Sequence, residues 1–79
     1  MSYFLSRGNG VYADGTIDPN SWNFDSVQNK DYYADVMKRN NYVGIIEYSY
    51  DSFIGRTYGP YFIGNVPIEV QERELAQNE

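Results

Sequence analysis

The feature that most constrains the fold is one aromatic and β-branched stretch, "YVGIIEYSYDSFIGRTYGPYFIG", at residues 42–64. Its first part alternates as a β-strand does. The two faces of that strand are Ile46, Tyr48 and Tyr50 on one side and Ile45, Glu47 and Ser49 on the other. "DSFIG" then predicts a turn and "RTYGPYFIG" an antiparallel return, in which Pro60 indicates an edge strand or a break because proline cannot donate to the ladder. An antiparallel hairpin therefore forms the predicted centre of the fold.

Two interpretations compete for the segment that precedes residue 18. "SYFLS" predicts a strand, and the following "RGNG" contains residues that accept a tight hairpin turn. The pair Asp14–Gly15 predicts instead that the hairpin turns there. The next segment, "DPNSWNFDS", has no periodicity and is rich in Asp, Asn and Ser, so we expect a loop in which Trp22 and Phe24 cover the core.

The clearest helix is predicted between Ser26 and Asn41. Asp25 or Ser26 provides a capping oxygen, and Asn40–Asn41 provides a left-handed stop. The predicted inner face consists of Val27, Tyr33, Val36, Met37 and Asn40. Lys38 and Arg39 in the last turn interact favourably with the carbonyl end of the helix dipole.

The tail after residue 64 is ambiguous. Pro67 at a first helical position and the i,i+4 pair Glu69–Arg73 favour a short helix, whereas Val66, Ile68 and Val70 alternate like a strand. We expect a short strand or turn followed by a loosely ordered segment, frayed or helical over residues 71–79. The prediction for residues 1–79 is a single small α+β domain: one helix packed on a three- to four-stranded antiparallel sheet.

The amino-acid composition argues against most catalytic and metal-binding functions. The 79 residues include no cysteine and no histidine, and 11 acidic against six basic residues give a net charge of −5. This excludes disulfides, thiolate zinc sites and the usual proton shuttle near neutral pH. There is no nucleophile elbow or phosphate-binding loop, and so small a chain leaves little room for a cleft between catalytic carboxylates. We expect a protein that is not an enzyme and uses no cofactor or metal.

The distribution of apolar residues along the chain indicates where in the cell the protein is located. No run of 18 apolar residues is present, and "MSYFLSRG" lacks the apolar core of a secretory signal. We therefore expect a cytoplasmic protein, in the host cytoplasm if a phage encodes it, with no membrane partner.

The tyrosines suggest a function. Nine of them exceed what the core of such a small domain can enclose with every hydroxyl paired, and exposed tyrosine is enriched in protein interfaces. We expect a docking surface that combines acidic and tyrosine side chains. The predicted partner-binding residues are Asp31, Tyr32, Asp35, Glu47, Tyr48, Tyr50, Asp51 and Tyr58.

Two other functions stay open at this point. "GRTYGPYFI" loosely resembles the RNA-recognition motif that places aromatic side chains beside basic residues and glycine, which favours a single-stranded nucleic-acid binder that stacks bases on Tyr58 and Tyr61. The acidic balance and the scattered basic residues argue against direct nucleic-acid binding. The third possibility is a structural subunit that associates with itself as a homodimer.

One stretch suggests a class of partner. "YYADVMKRNNYVGI", residues 32–45, resembles the Ocr family of DNA-mimicking antirestriction proteins from T7-type phages, through Tyr32, Tyr33, Ala34 and Asp35 and through Gly44–Ile45 at the same spacing. The resemblance implies a phage or mobile-element protein that blocks a host nucleic-acid-handling complex, such as a restriction or CRISPR effector. Only Asp35 among the acidic candidates lies within the matched positions, and the family is more acidic than this chain. The expected partner is a larger host protein or nucleoprotein complex.

Overall fold

The structure, a computed structural model, describes residues 4–25 and 30–77. Within these residues the elements are β1 (Phe4–Val11), β2 (Ile17–Asp25), α1 (Lys30–Asn40), β3 (Gly44–Asp51), β4 (Arg56–Gly64) and α2 (Ile68–Gln77). The strands form one antiparallel sheet in the order β2-β1-β3-β4. The predicted α+β class and antiparallel sheet are confirmed, whereas the prediction of a single helix is wrong because the tail forms α2.

The sheet consists of two hairpins joined by a crossover. β1 pairs with β2, β3 pairs with β4, and β1 and β3 pair in the centre. Because β2 and β3 are both antiparallel to β1, they run parallel to each other and need a connection that crosses β1. α1 lies in that connection. The predicted start of α1 at residues 26–29 falls outside the described residues.

The two helices cover opposite faces of the sheet. The Tyr33 hydroxyl of α1 donates a hydrogen bond to the Glu47 carboxylate, so α1 lies on the face that also carries Ile45. The Tyr48 hydroxyl donates to Glu74 Oε2 of α2 at 3.0 Å, which places α2 on the other face. We call these the α1 face and the α2 face. The strand alternation predicted for residues 45–50 is thereby confirmed.

The core of the α2 face explains why the tail is helical. Val11, Ile46, Val66 and Val70 form one buried cluster, while Ile68 is exposed. A strand would place Ile68 and Val70 on the same side, whereas two residues are about half a turn of a helix and point to opposite sides, which lets Val70 pack against the sheet. The Pro67 carbonyl accepts the amides of Val70 at 3.0 Å and Gln71 at 3.1 Å, so Pro67 lies immediately before the first helical residue, Ile68, one position outside the predicted place.

The first hairpin turns at Asp14–Gly15 and not at Gly8–Gly10. Gly15 has a φ of 88°, and the Thr16 amide donates to Asp14 Oδ1 at 2.9 Å. β1 instead continues through residues 8–10, with one irregularity in its pairing with β2 between Asn9 and Val11, and Gly10 leaves room for the Tyr42 ring. A Cβ atom at Gly10 would lie 2.2 Å from the Tyr42 ring.

The loop prediction for "DPNSWNFDS" is also wrong in large part, since residues 17–25 form β2. Its strand character comes from pairing with β1, and Pro19 is tolerated because β2 is an edge strand. The prediction that Trp22 and Phe24 cover the core concerns side chains outside the described part of the structure. The edge position predicted from Pro60 is confirmed for β4, and Asn41, with a φ of 59°, ends α1 as predicted.

Candidate partner-binding surface

The turn between β3 and β4 exposes two large apolar side chains. Phe53 is 71% exposed and Ile54 is 56% exposed. The turn itself is well ordered by hydrogen bonds: the Phe53 amide donates to Asp51 Oδ1 at 2.9 Å, and the Gly55 amide donates to the Asp51 carbonyl at 2.8 Å. Gly55, with a φ of 68°, accepts the left-handed conformation that completes the turn. The chain thus holds two apolar groups in water at a fixed place.

Tyr50 extends this apolar area onto the sheet. Its side chain is 42% exposed on the α2 face, and a Cβ atom added to Gly55 would lie 3.9 Å from its hydroxyl. The ring therefore lies beside the turn. We call Tyr50, Phe53 and Ile54 the hairpin-end surface. A contiguous apolar area of this kind is a common property of protein-binding sites.

A groove continues from Tyr50 along the α2 face. It has a volume of about 580 Å³, and its lining includes Arg7, Asn9, Tyr48, Tyr50, Thr57 and Glu74. The Arg7 guanidinium carbon lies 5.0 Å from the centre of the Tyr48 ring, at cation–π distance. α2 covers the half of this face that contains Val11 and leaves the half with Arg7 open.

The opposite end of the sheet is arranged differently. Tyr12 and Tyr42 both donate their hydroxyls to Asp18 Oδ2, the first at 3.3 Å, and the two rings lie 5.2 Å apart. Asp18 Oδ1 accepts the Asn20 amide at 3.0 Å. We call Tyr12, Asp18 and Tyr42 the tyrosine–aspartate cluster. Its aromatic and polar groups are paired with one another.

The cluster shifts the pKa values of its members in opposite directions. The Tyr42 hydrogen bond, followed by the Asn20 amide, lowers the pKa of Asp18 because both stabilise the carboxylate. Burial raises the pKa of Tyr42, and the bond to Asp18 raises it further. Partial burial and the Asp18 charge raise the pKa of Tyr12 as well. The neutral phenols and the ionised carboxylate are thus the favoured forms.

The structure separates the acidic residues predicted for the docking surface. Asp35 is exposed on α1 and forms an ion pair with Arg39 at 3.1 Å. Glu47 is half-buried under α1 and accepts the Tyr33 hydroxyl. Asp51 is only 8% exposed and orders the β3–β4 turn, so it supports the hairpin-end surface from behind. Asp31 lies in α1, and its side chain falls outside the described part.

The predicted tyrosines are likewise divided. Of the three whose side chains are described, Tyr50 belongs to the exposed apolar area, while Tyr48 lines the groove and donates its hydroxyl to Glu74. Tyr58 lies half-buried on the α1 face of β4, with the Arg56 guanidinium 5.1 Å from its ring centre. Tyr32 lies in α1 with its side chain outside the described residues. The six predicted residues whose side chains are described therefore do not lie together on one acidic, tyrosine-rich surface.

Sequence reasoning missed Phe53, Ile54 and Arg7. A signal for the first two was present, because "DSFIG" places two apolar residues in a turn where polar residues are the rule. Arg7 gave no signal by itself. Its position in the groove depends on the pairing of β1 with β3 and on how far α2 extends.

Comparison with known proteins finds no matching family model, no similar curated protein and no similar solved structure. Over residues 4–25 and 30–77, acidic side chains do not gather into a group of three that could hold a metal ion. Neither helix in this part of the chain has the length and apolar character needed to cross a lipid bilayer.

Proposed function

We propose that this protein is a non-catalytic inhibitor that docks on a larger protein through the hairpin-end surface. The observation that carries the proposal is the exposure of Phe53 and Ile54 on a turn fixed by the buried Asp51. A mobile polar turn would close the same hairpin without placing apolar area in water. Burial of one such side chain at an interface contributes roughly 1.5–3 kcal/mol, so the pair can act as the centre of a binding site.

Other exposed apolar residues support this choice by contrast. Ile68 and Leu75 are exposed on α2, but they lie two helical turns apart with polar residues between them. Phe53 and Ile54 are consecutive in one turn, the Tyr50 hydroxyl lies beside Gly55 of that turn, and Tyr50 also lines the groove. Contiguous area, rather than single exposed residues, is typical of docking surfaces.

The proposed partner is a host complex that handles nucleic acid in defence, such as a restriction or CRISPR effector. The resemblance of residues 32–45 to the Ocr family suggests this class. The proposed mode of action of this protein differs from mimicry of DNA by carboxylates. Asp35 is paired with Arg39, Glu47 accepts the Tyr33 hydroxyl, and Asp51 accepts the Phe53 amide. Inhibition through apolar contacts is the mode that fits these positions.

The test compares two double variants of equal chemistry. F53S/I54S removes the apolar groups of the turn, and I68S/L75S removes two exposed apolar groups from α2. Each variant, carrying an affinity tag, is used to capture proteins from host lysate at physiological salt, followed by mass spectrometry. We expect the wild type and I68S/L75S to recover the same partner and F53S/I54S to lose it while its unfolding midpoint stays unchanged. Equal recovery by both variants would refute docking through the hairpin end.

A second candidate function has its own observation. Arg56 lies over the Tyr58 ring, and the exposed Tyr61 lies on the same face of the edge strand β4. Rings beside a cation on an accessible strand could stack the bases of single-stranded nucleic acid. Titration with oligo(dT) at low salt tests this: quenched tyrosine fluorescence that recovers as salt rises, and that Tyr61→Ser removes, would favour nucleic-acid binding.

A further inference from the structure

The open half of the α2 face contains one cation on an interior strand, Arg7, that has no carboxylate partner among the described side chains. β1 lies between β2 and β3, where side chains are usually covered, yet Arg7 is exposed. It forms no ion pair with any carboxylate among the described side chains. Its contact is the Tyr48 ring below it, which leaves the guanidinium donors available to another molecule.

The rest of the groove limits what that molecule can be. Glu74 lines the same groove on the α2 side and accepts the Tyr48 hydroxyl. A polyanion such as nucleic acid would bring many phosphates near this carboxylate and into the field of a protein with net charge −5. A cationic segment would be repelled by Arg7. A segment that places one carboxylate near Arg7, with uncharged residues beside it, avoids both penalties.

We infer that the groove binds an extended segment of the docked partner that carries a single carboxylate among uncharged residues, with this carboxylate on Arg7 and an apolar side chain on Tyr50. The inference rests on the proposed function, because Tyr50 belongs both to the groove and to the hairpin-end surface and makes the two continuous. Arg7 recognises the carboxylate by charge-assisted hydrogen bonds, and its position over Tyr48 restricts its motion before binding. The hairpin-end surface provides apolar contact, and Arg7 selects among partners by charge.

The experiment uses two capped nonapeptides as probes. Both consist of glycine, phenylalanine and one charged residue, which is glutamate in the first peptide and lysine in the second. Binding is followed by two-dimensional ¹⁵N NMR titration of the full-length chain. The variants are R7Q, R7E and the matched control K38Q, which removes one positive charge from an exposed position on α1. Oligo(dT) serves as a third probe.

We expect the glutamate peptide to shift the amide signals of β1 and β3 around Arg7 and Tyr48. R7Q should weaken this binding about fivefold or more, the size typical of a charge-assisted contact, and K38Q should leave it unchanged. R7E should prefer the lysine peptide. The reversal distinguishes recognition by charge from a general structural effect of the substitution.

Several results would overturn the inference. Equal binding of both peptides, equal loss in R7Q and K38Q, or shifts at the groove caused by oligo(dT) alone would each contradict it. Retained partner capture by R7Q, together with loss in F53S/I54S, would reject the groove and leave the proposed docking function standing. Loss of capture in neither variant would reject both.

Discussion

Large aromatic and apolar side chains are packed and hydrogen-bonded at one end of the sheet and exposed to water at the other. At one end, the tyrosine–aspartate cluster pairs aromatic hydroxyls with a carboxylate and packs the Tyr42 ring directly on Gly10. At the other end, the hairpin-end surface exposes Phe53 and Ile54 to water, and the Asp51 carboxylate accepts the Phe53 amide of the turn. The first arrangement stabilises the fold, whereas the exposed side chains of Phe53 and Ile54 add little to its stability. The difference separates residues that build this protein from residues available to a partner.

The same contrast explains why tyrosine number alone was a poor guide to the surface. Within the described side chains, four tyrosine hydroxyls donate to carboxylates of the chain itself, namely Tyr12, Tyr33, Tyr42 and Tyr48. A phenol can bury most of its ring and keep a hydrogen bond for its hydroxyl, so many tyrosines fit a small domain when acidic residues lie near them. Two of the residues predicted for the docking surface are engaged in this way: Glu47 accepts the Tyr33 hydroxyl, and Tyr48 donates to Glu74.

The largest expected effect comes from breaking the packing at the cluster. In Gly10→Ala, the new Cβ atom would lie 2.2–2.3 Å from Tyr42 ring atoms, so the ring or β1 must move. We expect a loss of about 2 kcal/mol in the free energy of unfolding, as for other overpacked cores. Ile54→Ala at the hairpin end should stay within about 0.5 kcal/mol of the wild type. Urea unfolding of both variants measures the contrast, and equal losses would contradict it.

The next effect concerns the carboxylate of the cluster. Asp18→Asn offers one oxygen to three donors, since the carboxylate now accepts two tyrosine hydroxyls and the Asn20 amide. We expect the thermal unfolding midpoint at pH 7 to fall by several degrees. Asp35→Asn, which removes an exposed carboxylate paired with Arg39, should leave the midpoint nearly unchanged.

The pH dependence of this difference has a defined sign. The pKa of Asp18 is lower in the folded chain than the unfolded value of about 3.9, so its contribution is present above that pH and is lost as the pH falls through the folded pKa. The midpoints of wild type and Asp18→Asn should therefore converge below about pH 4. The pKa values of Tyr12 and Tyr42 are raised in the folded chain, so their contribution to stability is present below about pH 10 and is lost as the pH rises above that value. A midpoint difference independent of pH would contradict the proposed role of Asp18.

A smaller effect sharpens the comparison at the hairpin end. Asp51→Ala removes the acceptor of the Phe53 amide, and we expect a loss of about 1 kcal/mol in the free energy of unfolding. Partner capture should also weaken, although Phe53 and Ile54 remain, because the turn no longer holds them in place. Asp14→Ala is the matched control, since Asp14 accepts the Thr16 amide in the opposite turn. It should reduce stability without reducing capture.

The sequence predicted those parts of the fold that depend on local chemistry. Strand alternation predicted the two faces of β3, and Asn41 predicted the end of α1. Pro67 indicated a helix start to within one residue, since α2 begins at Ile68. β2 could not be read in this way, because an irregular polar segment becomes an edge strand only by pairing with β1. The length of α2 depended on the burial of Val70, which is a tertiary contact.

The candidate site was harder to predict from the sequence, because it too depends on contacts between residues that are distant in the chain. Whether a tyrosine is exposed depends on partners distant in the chain, such as Asp18 for Tyr42 and Glu74 for Tyr48. Tyr50, predicted to bind a partner, is exposed, whereas Asp51, predicted for the same role, is buried and orders the turn. Phe53 and Ile54 could have been found from the sequence by asking why a turn contains two apolar residues.

The central claim is that the hairpin end, and not the opposite end, contacts a partner. The most direct measurement is site-specific photo-crosslinking in host lysate, with p-benzoylphenylalanine placed at Phe53 in one variant and at the exposed Asp14 of the opposite turn in another. We predict a discrete protein adduct from position 53 that is absent from position 14 and that excess unlabelled wild-type chain suppresses. No adduct from position 53, or the same adducts from both positions, would contradict the account.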